Sequence, residues 1–221
     1  FLGEVCDPRT GEVSKKNFYI SESQLINNIL KKKEVGFVTK REKENITVLD
    51  QEGQIYKKSK NHNLVILKFF RELIWSFGKW RNARLEAFLK EVSPDFIFFP
   101  DFPCIYAHKI LKYIWQKTNA KVAIFHADDC YTLKQFSLSP LYWIYRFWQR
   151  KWVRSSVKIA DLHYVISDVQ KIDYDRAFKV NNKILTKFAD FSVEPELKNK
   201  FNKPLEFVYT GNIELNRWKS L

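Results

Sequence analysis

His126, Asp128 and Asp129 stand within four consecutive positions and form the densest group of chemically capable side chains in the sequence. A neutral imidazole can hydrogen-bond a hydroxyl, and adjacent carboxylates can grip a sugar ring or take up a proton. The plainer reading of the same residues is a helix cap at Asp128 or Asp129 beside a satisfied, half-buried His126. Ser167 and Asp168 form a second polar step, and both residue types cap helices well. A ligand oxygen at that helix N-terminus is compatible with capping. Asp101, Asp190 and the turn from Asp7 to Gly11 complete the polar positions that follow apolar runs. His62, His108 and His163 have no partners nearby in sequence and receive no role.

These positions matter because of the elements around them. Residues 96–99, 122–125, 162–166 and 184–188 are short apolar runs of strand length. Helical patterns over 104–116, 140–160 and 169–178 separate them. Buried strands alternating with helices predict βαβ units: an α/β fold with a Rossmann-like parallel sheet and helices on both faces. In such a sheet, ligands bind at the carboxyl ends of the strands, where Asp101, His126, Asp128, Asp129, Ser167 and Asp168 fall.

Earlier in the chain, residues 1–5 read as the end of a strand, and Asp7, Pro8 and Gly11 as a turn. Ser21 or Ser23 caps a helix carrying Leu25, Ile26, Ile29 and Leu30. Residues 35–38, 46–49 and 54–56 read as strands. From 64 to 90 the pattern is helical in two segments divided at Gly78, with Ile66, Phe69, Phe70, Leu73, Phe77 and Trp80 on one stripe. Residues 193–204 resemble an interdomain linker, and 205–210 a fresh strand ending at Gly211. The expected organisation is a domain over 1–192, a linker over 193–204 and the opening of a second domain over 205–221. Methionine is absent even from position 1, so the sequence reads as a fragment or as one that has lost residues.

The formal net charge of +13 calls for a negatively charged partner. On the helix 141–160, Leu141, Ile144, Tyr145, Trp148, Trp152 and Ile159 share the face expected to meet the core. The opposite face carries Trp143 and Phe147 among Arg146, Arg150, Arg154 and Lys158. Aromatics among cations suit an anionic membrane surface, or else a basic face whose rings pack on a neighbouring helix. Lys68, Arg71, Lys79, Arg81 and Arg84 add a second basic surface. Cys6, Cys104 and Cys130 are far apart and lack metal-ligand spacing, so reduced, buried thiols are expected. No apolar run reaches the length of a membrane span and no signal peptide opens the chain, which predicts a cytoplasmic protein. No G-x-G-x-x-G, P-loop, H-E-x-x-H or G-x-S-x-G pattern occurs, so dehydrogenase, P-loop, zincin and nucleophile-elbow readings lack support.

Several stretches carry a family likeness. They are Pro-Asp-Phe-Ile-Phe-Phe-Pro-Asp at 94–101, Ala-Ile-Phe-His-Ala-Asp-Asp at 123–129 and the run 154–168 that ends in Val-Ile-Ser-Asp. Lys-Ile-Leu-Thr-Lys-Phe-Ala-Asp at 183–190, Phe-Val-Tyr-Thr-Gly-Asn at 207–212 and Arg-Trp-Lys-Ser-Leu at 217–221 follow in order. Together they resemble the N-terminal half of GT-B-fold glycosyltransferases, in particular the group 1/family 4 class of retaining, sugar-nucleotide-dependent enzymes. The resemblance implies that His126 is the cleft histidine touching the transferred sugar, with Asp128 and Asp129 beside it. It places Gly11 in the first strand–helix loop, without the family's usual glycine pair, and Gly211 near the donor diphosphate. Asp101, Ser167 and Asp168 would line the donor and acceptor cleft. It implies no metal and no cofactor beyond the nucleotide sugar itself, and a glycan or lipid-linked acceptor used in surface polysaccharide synthesis. The groups that hold the nucleotide would lie beyond Leu221. The other classes in view are an acceptor- or membrane-binding subunit without turnover, a sugar-nucleotide epimerase, and a basic nucleic-acid-binding α/β protein. No RNA-binding aromatic motif supports the last, so nucleic acid is not an expected partner.

Overall fold

The chain starts with a small mixed sheet. In the computed structural model, which describes residues 2–3, 16–40, 65–132 and 136–186, β1 (Leu2–Gly3) pairs in parallel with β2 (Lys16–Tyr19). Helix α1 (Glu22–Lys31) follows, and β3 (Phe37–Lys40) returns antiparallel to β2. Two helices come next, α2 (Val65–Phe77) and α3 (Ala83–Val92). The main sheet is then built from β4 (Phe96–Pro100), α4 (Ile105–Thr118), β5 (Lys121–His126), α5 (Pro140–Ile159), β6 (Leu162–Val165), α6 (Asp168–Phe178) and β7 (Lys183–Ile184). Its strand order is β4-β5-β6-β7 and every pairing is parallel. The fold is therefore α/β and Rossmann-like, a four-stranded parallel sheet flanked by helices. The turn at Asp7–Gly11, the strands expected at 46–49 and 54–56, Asp190, the linker and the strand at 205–210 lie outside the described residues.

Local chemistry explains where the helices start and stop. The Ser21 hydroxyl accepts from the Gln24 N–H, Asn82 from Leu85, and Ser167 from Gln170, so each first turn has an N-cap. Cys104 precedes α4 without a side-chain cap bond. Its place is taken by Glu72 of α2, whose Oε1 accepts from the Ile105 N–H at 2.7 Å. Lys32, Ser93, Asn119 and Lys179 end four helices in the left-handed region, each N–H returning to the carbonyl four residues earlier.

Residues paired across parallel strands share a face of the sheet, and α5 and α6 cover one such face. That face carries Phe99, Ile124, His126 and Val165. Ile124 and Val165 pack with Val153 and Val157 of α5 and Tyr174 of α6. On the other face Phe96 and Phe98 of edge strand β4 remain about half exposed, with Phe98 stacked on Phe125 at 6.1 Å. A separate cluster joins Phe18, Leu25, Trp75, Leu85, Phe88 and Ile110. In it Trp75 stacks on Tyr106 with centroids 4.2 Å apart, a geometry worth about 1 kcal/mol beyond burial.

Three helices turn a face other than the expected one. In α1 only Leu25 is buried, while Ile26, Ile29 and Leu30 are exposed. In α2 the buried residues are Glu72 and Trp75, and Phe77, from the expected stripe, is 72% exposed. In α5 the core face is Tyr145, Arg146, Gln149, Val153, Ser156 and Val157, whereas Ile144 points outward. The α5 shift has a polar cause. Arg146 and Arg150 both donate to the Tyr131 carbonyl, at 3.3 and 2.9 Å, and Arg154 bonds the Tyr131 hydroxyl. Three guanidiniums on i, i+4 spacing clasp one tyrosine, and that requirement sets the rotation of the helix.

Candidate functional site

The carboxyl ends of β4 and β5 bring the strand-end acids and histidines together. Asp101 leaves β4 with its N–H donated to the Phe125 carbonyl at 2.8 Å, which fixes it beside the end of β5. Its carboxylate Oδ2 lies 2.6 Å from His126 Nδ1. A carboxylate accepts, so His126 donates to it from Nδ1. Asp101 Oδ1 approaches His108 Nε2 to 3.3 Å without completing a hydrogen bond, and His108 Nδ1 meets the Ser156 hydroxyl at 2.8 Å. All four side chains are buried.

Aromatic rings close over this network. Tyr174 meets the His126 ring edge-on at 4.7 Å, and Phe178 stacks on it at 6.1 Å. Among the described residues His126 Nε2 is buried without a hydrogen-bond partner. Burial holds the His108 pKa below the usual histidine value against the opposing pull of Asp101. His163 on β6 is likewise lowered, first by burial and then by the nearby His126. Burial therefore favours the neutral imidazole at His108 and His163.

Asp129 organises the loop after β5. Its Oδ1 accepts from the N–H groups of Tyr131 and Thr132 at 3.0 and 2.7 Å and from the Tyr174 hydroxyl at 3.0 Å. Its Oδ2 accepts from the Thr132 hydroxyl at 2.5 Å. Burial pushes its pKa upward, but these hydrogen bonds together outweigh it and leave the group below the usual aspartate value. Asp128 beside it is exposed, and its carbonyl accepts from Gln170 Nε2 at 3.3 Å. That bond ties the loop to the first turn of α6.

The structure thus unites Asp101 with His126, sets Asp128 at the surface, and gives Asp129 a loop-bracing role. Ser167 is the α6 N-cap, and Asp168 is the exposed first residue of that helix, where the dipole favours an acid. Gly11 and Gly211 lie outside the described residues. On α5, Trp143 and Phe147 are exposed at 46% and 75%, and Lys158 is exposed, but Arg146 is buried. The four-cation face expected there is divided by the clasp on Tyr131. His108, Ser156 and Tyr174 are the site residues that sequence reasoning passed over. The usable signal for His108 was its place one turn into the helix that follows Asp101.

Cys104 and Cys130 are free and buried, and burial pushes the Cys104 thiol up to about 12. Among the described residues no group of three or more His, Cys, Asp or Glu could hold a metal ion. Comparison with protein-family models, with curated proteins and with solved structures finds no match for the chain.

Proposed function

We propose that this chain is the acceptor-side half of a retaining, nucleotide-sugar-dependent glycosyltransferase that builds a surface polysaccharide at the cytoplasmic face of a membrane. One observation carries the reading. An exposed carboxylate, Asp128, sits at the carboxyl end of a parallel sheet, between a buried Asp101–His126 pair and the N-terminus of α6.

In this reading Asp128 receives the hydrogen bond of the acceptor hydroxyl. Asp129 holds the loop that carries it, and His126 with Asp101 positions the strand end rather than touching the sugar. The α6 N-terminus at Ser167 and Asp168 offers N–H groups to ligand oxygens. A departing diphosphate would be stabilised by cations and helix N-termini, in keeping with the positive charge of the chain. No helix among the described residues is long and apolar enough to cross a membrane. The exposed Phe136, Leu138, Trp143 and Phe147 at the start of α5 would rest on an anionic lipid surface instead.

The test incubates the native gene product with radiolabelled nucleoside diphosphate hexoses and a polyprenyl-diphosphate-linked glycan. Label should move to the lipid with release of nucleoside diphosphate, and Asp128→Asn should lower transfer by about 100-fold without moving the melting temperature. Absence of both transfer and acceptor binding across the panel would overturn the proposal.

A further inference from the structure

A second polar region lies away from the strand ends, where the end of α2 and the α2–α3 turn meet α4 and α5. Ser76, Gly78, Lys79, Arg81, Lys109 and Trp152 line a pocket of 380 Å³, together with neighbouring aromatics. That volume is within the usual range of small-ligand sites, about 300–1,000 Å³. Its lining contains three cations and no acid.

Lys109 and Arg81 are held by a hydroxyl and by aromatic rings, and Glu72 is the acid whose charge acts on Lys109. Lys109 Nζ donates to the Ser76 hydroxyl at 2.9 Å and lies 5.1 and 5.9 Å from the Trp148 and Trp152 rings. Arg81 lies over the Trp80 ring at 4.7 Å and 5.5 Å from that of Tyr113. Lys112 stands 6.0 Å from the Trp152 ring. Burial lowers the Lys109 pKa; the charge of Glu72 opposes this and that of Arg81 adds to it. Gly78 lets the turn close down: a Cβ there would lie 2.6 Å from Leu25 Cδ2. The turn is further fixed by the Lys79 N–H donating to Asn28 Oδ1 at 3.1 Å. The positive pocket is therefore a built feature of the fold, and it brings like charges together.

We propose that this pocket binds a compact organic phosphate, its phosphate between Lys79, Arg81 and Lys109 and its ring against Trp152. An anion there offsets the repulsion between Arg81 and Lys109, and charge-assisted hydrogen bonds from Lys and Arg are the usual means of holding phosphate. The proposal is independent of the transferase reading, because it uses none of the strand-end residues.

Equilibrium dialysis at physiological salt, with radiolabelled inorganic phosphate, pyrophosphate and glucose 1-phosphate, tests it. Saturable binding is expected, with glucose 1-phosphate held several-fold tighter than inorganic phosphate. Lys109→Met and Arg81→Gln should each weaken it about tenfold or more, and Trp152→Leu should remove the preference for the sugar phosphate. Lys90→Gln, an equal loss of charge on an exposed part of α3, should change affinity less than twofold. Arg81 is exposed, so its variant keeps the test open if Lys109→Met unfolds. No saturable binding of any of the three anions would overturn the proposal, as would an equal loss in Lys90→Gln. Bare phosphate bound as tightly as glucose 1-phosphate would remove the organic half of it.

Discussion

The Asp101 network and the Lys109 pocket lie on neighbouring residues of α4, His108 facing one and Lys109 lining the other, yet they handle charge in opposite ways. Around Asp101, one carboxylate meets two imidazoles in a buried setting, and Ser156 completes the chain of contacts. Around Lys109, three cations converge on an open pocket without an acid in its lining. A charge enclosed with its own partners contributes to the folded state. A charge left facing a cavity is available to something from outside. The contrast separates the residues that hold the strand ends from those free to bind.

Breaking the enclosed side should have the largest effect. Asp101→Ala strands His126 in a buried site without its acceptor and removes the carboxylate beside His108, and we expect a loss of about 2–3 kcal/mol in urea unfolding. A loss under about 1 kcal/mol would mean that the network is not a structural unit. Asp129→Asn comes next, at about 1–2 kcal/mol near neutral pH, through weakened bonds to Thr132 and Tyr174. Its pH dependence sharpens the point. The folded pKa of Asp129 lies below the unfolded one, so its contribution is present above the ordinary aspartate value and is lost as pH falls through the folded pKa. Unfolding curves of the variant should therefore have a shallower acid limb than wild type, and parallel limbs would refute the assignment.

The smallest effect concerns Glu72, which serves both regions: it caps α4, and its charge favours the Lys109 ammonium. Burial raises its pKa, so the folded protein keeps this proton after the unfolded chain has lost it, and stability falls as pH rises above the ordinary glutamate value. Glu72→Gln keeps an acceptor for the Ile105 N–H and removes that penalty. We expect a gain of about 1 kcal/mol at neutral pH and a flatter profile above pH 4.5, the ordinary glutamate value. A wild-type slope retained in the variant would place the titration elsewhere.

Much of the framework was legible in the sequence because short apolar runs and helical patterns alternate without interruption from 96 to 184. The strand-end rule singled out Asp101, His126 and Asp128, and Ser167 caps α6 as its residue type suggests. The helix faces were less legible. Hydrophobic periodicity orients α5 by its Ile and Trp, but the arginines that clasp Tyr131 decide the rotation, and their partner lies in a loop. Likewise Glu72 is buried where Phe77 is not, because a distant N–H needs its oxygen. His108 was passed over for the same reason: Ser156 is 48 residues away in sequence.

The cap on α4 has a consequence for how the domain folds. A helix start is normally completed by its own neighbouring residue, so it can form early and alone. Here the oxygen comes from 33 residues upstream, and the first turn of α4 is finished only once α2 has docked. Assembly of the helical layer and completion of α4 thus become one cooperative event, and the Ile105 amide is its natural reporter in hydrogen exchange.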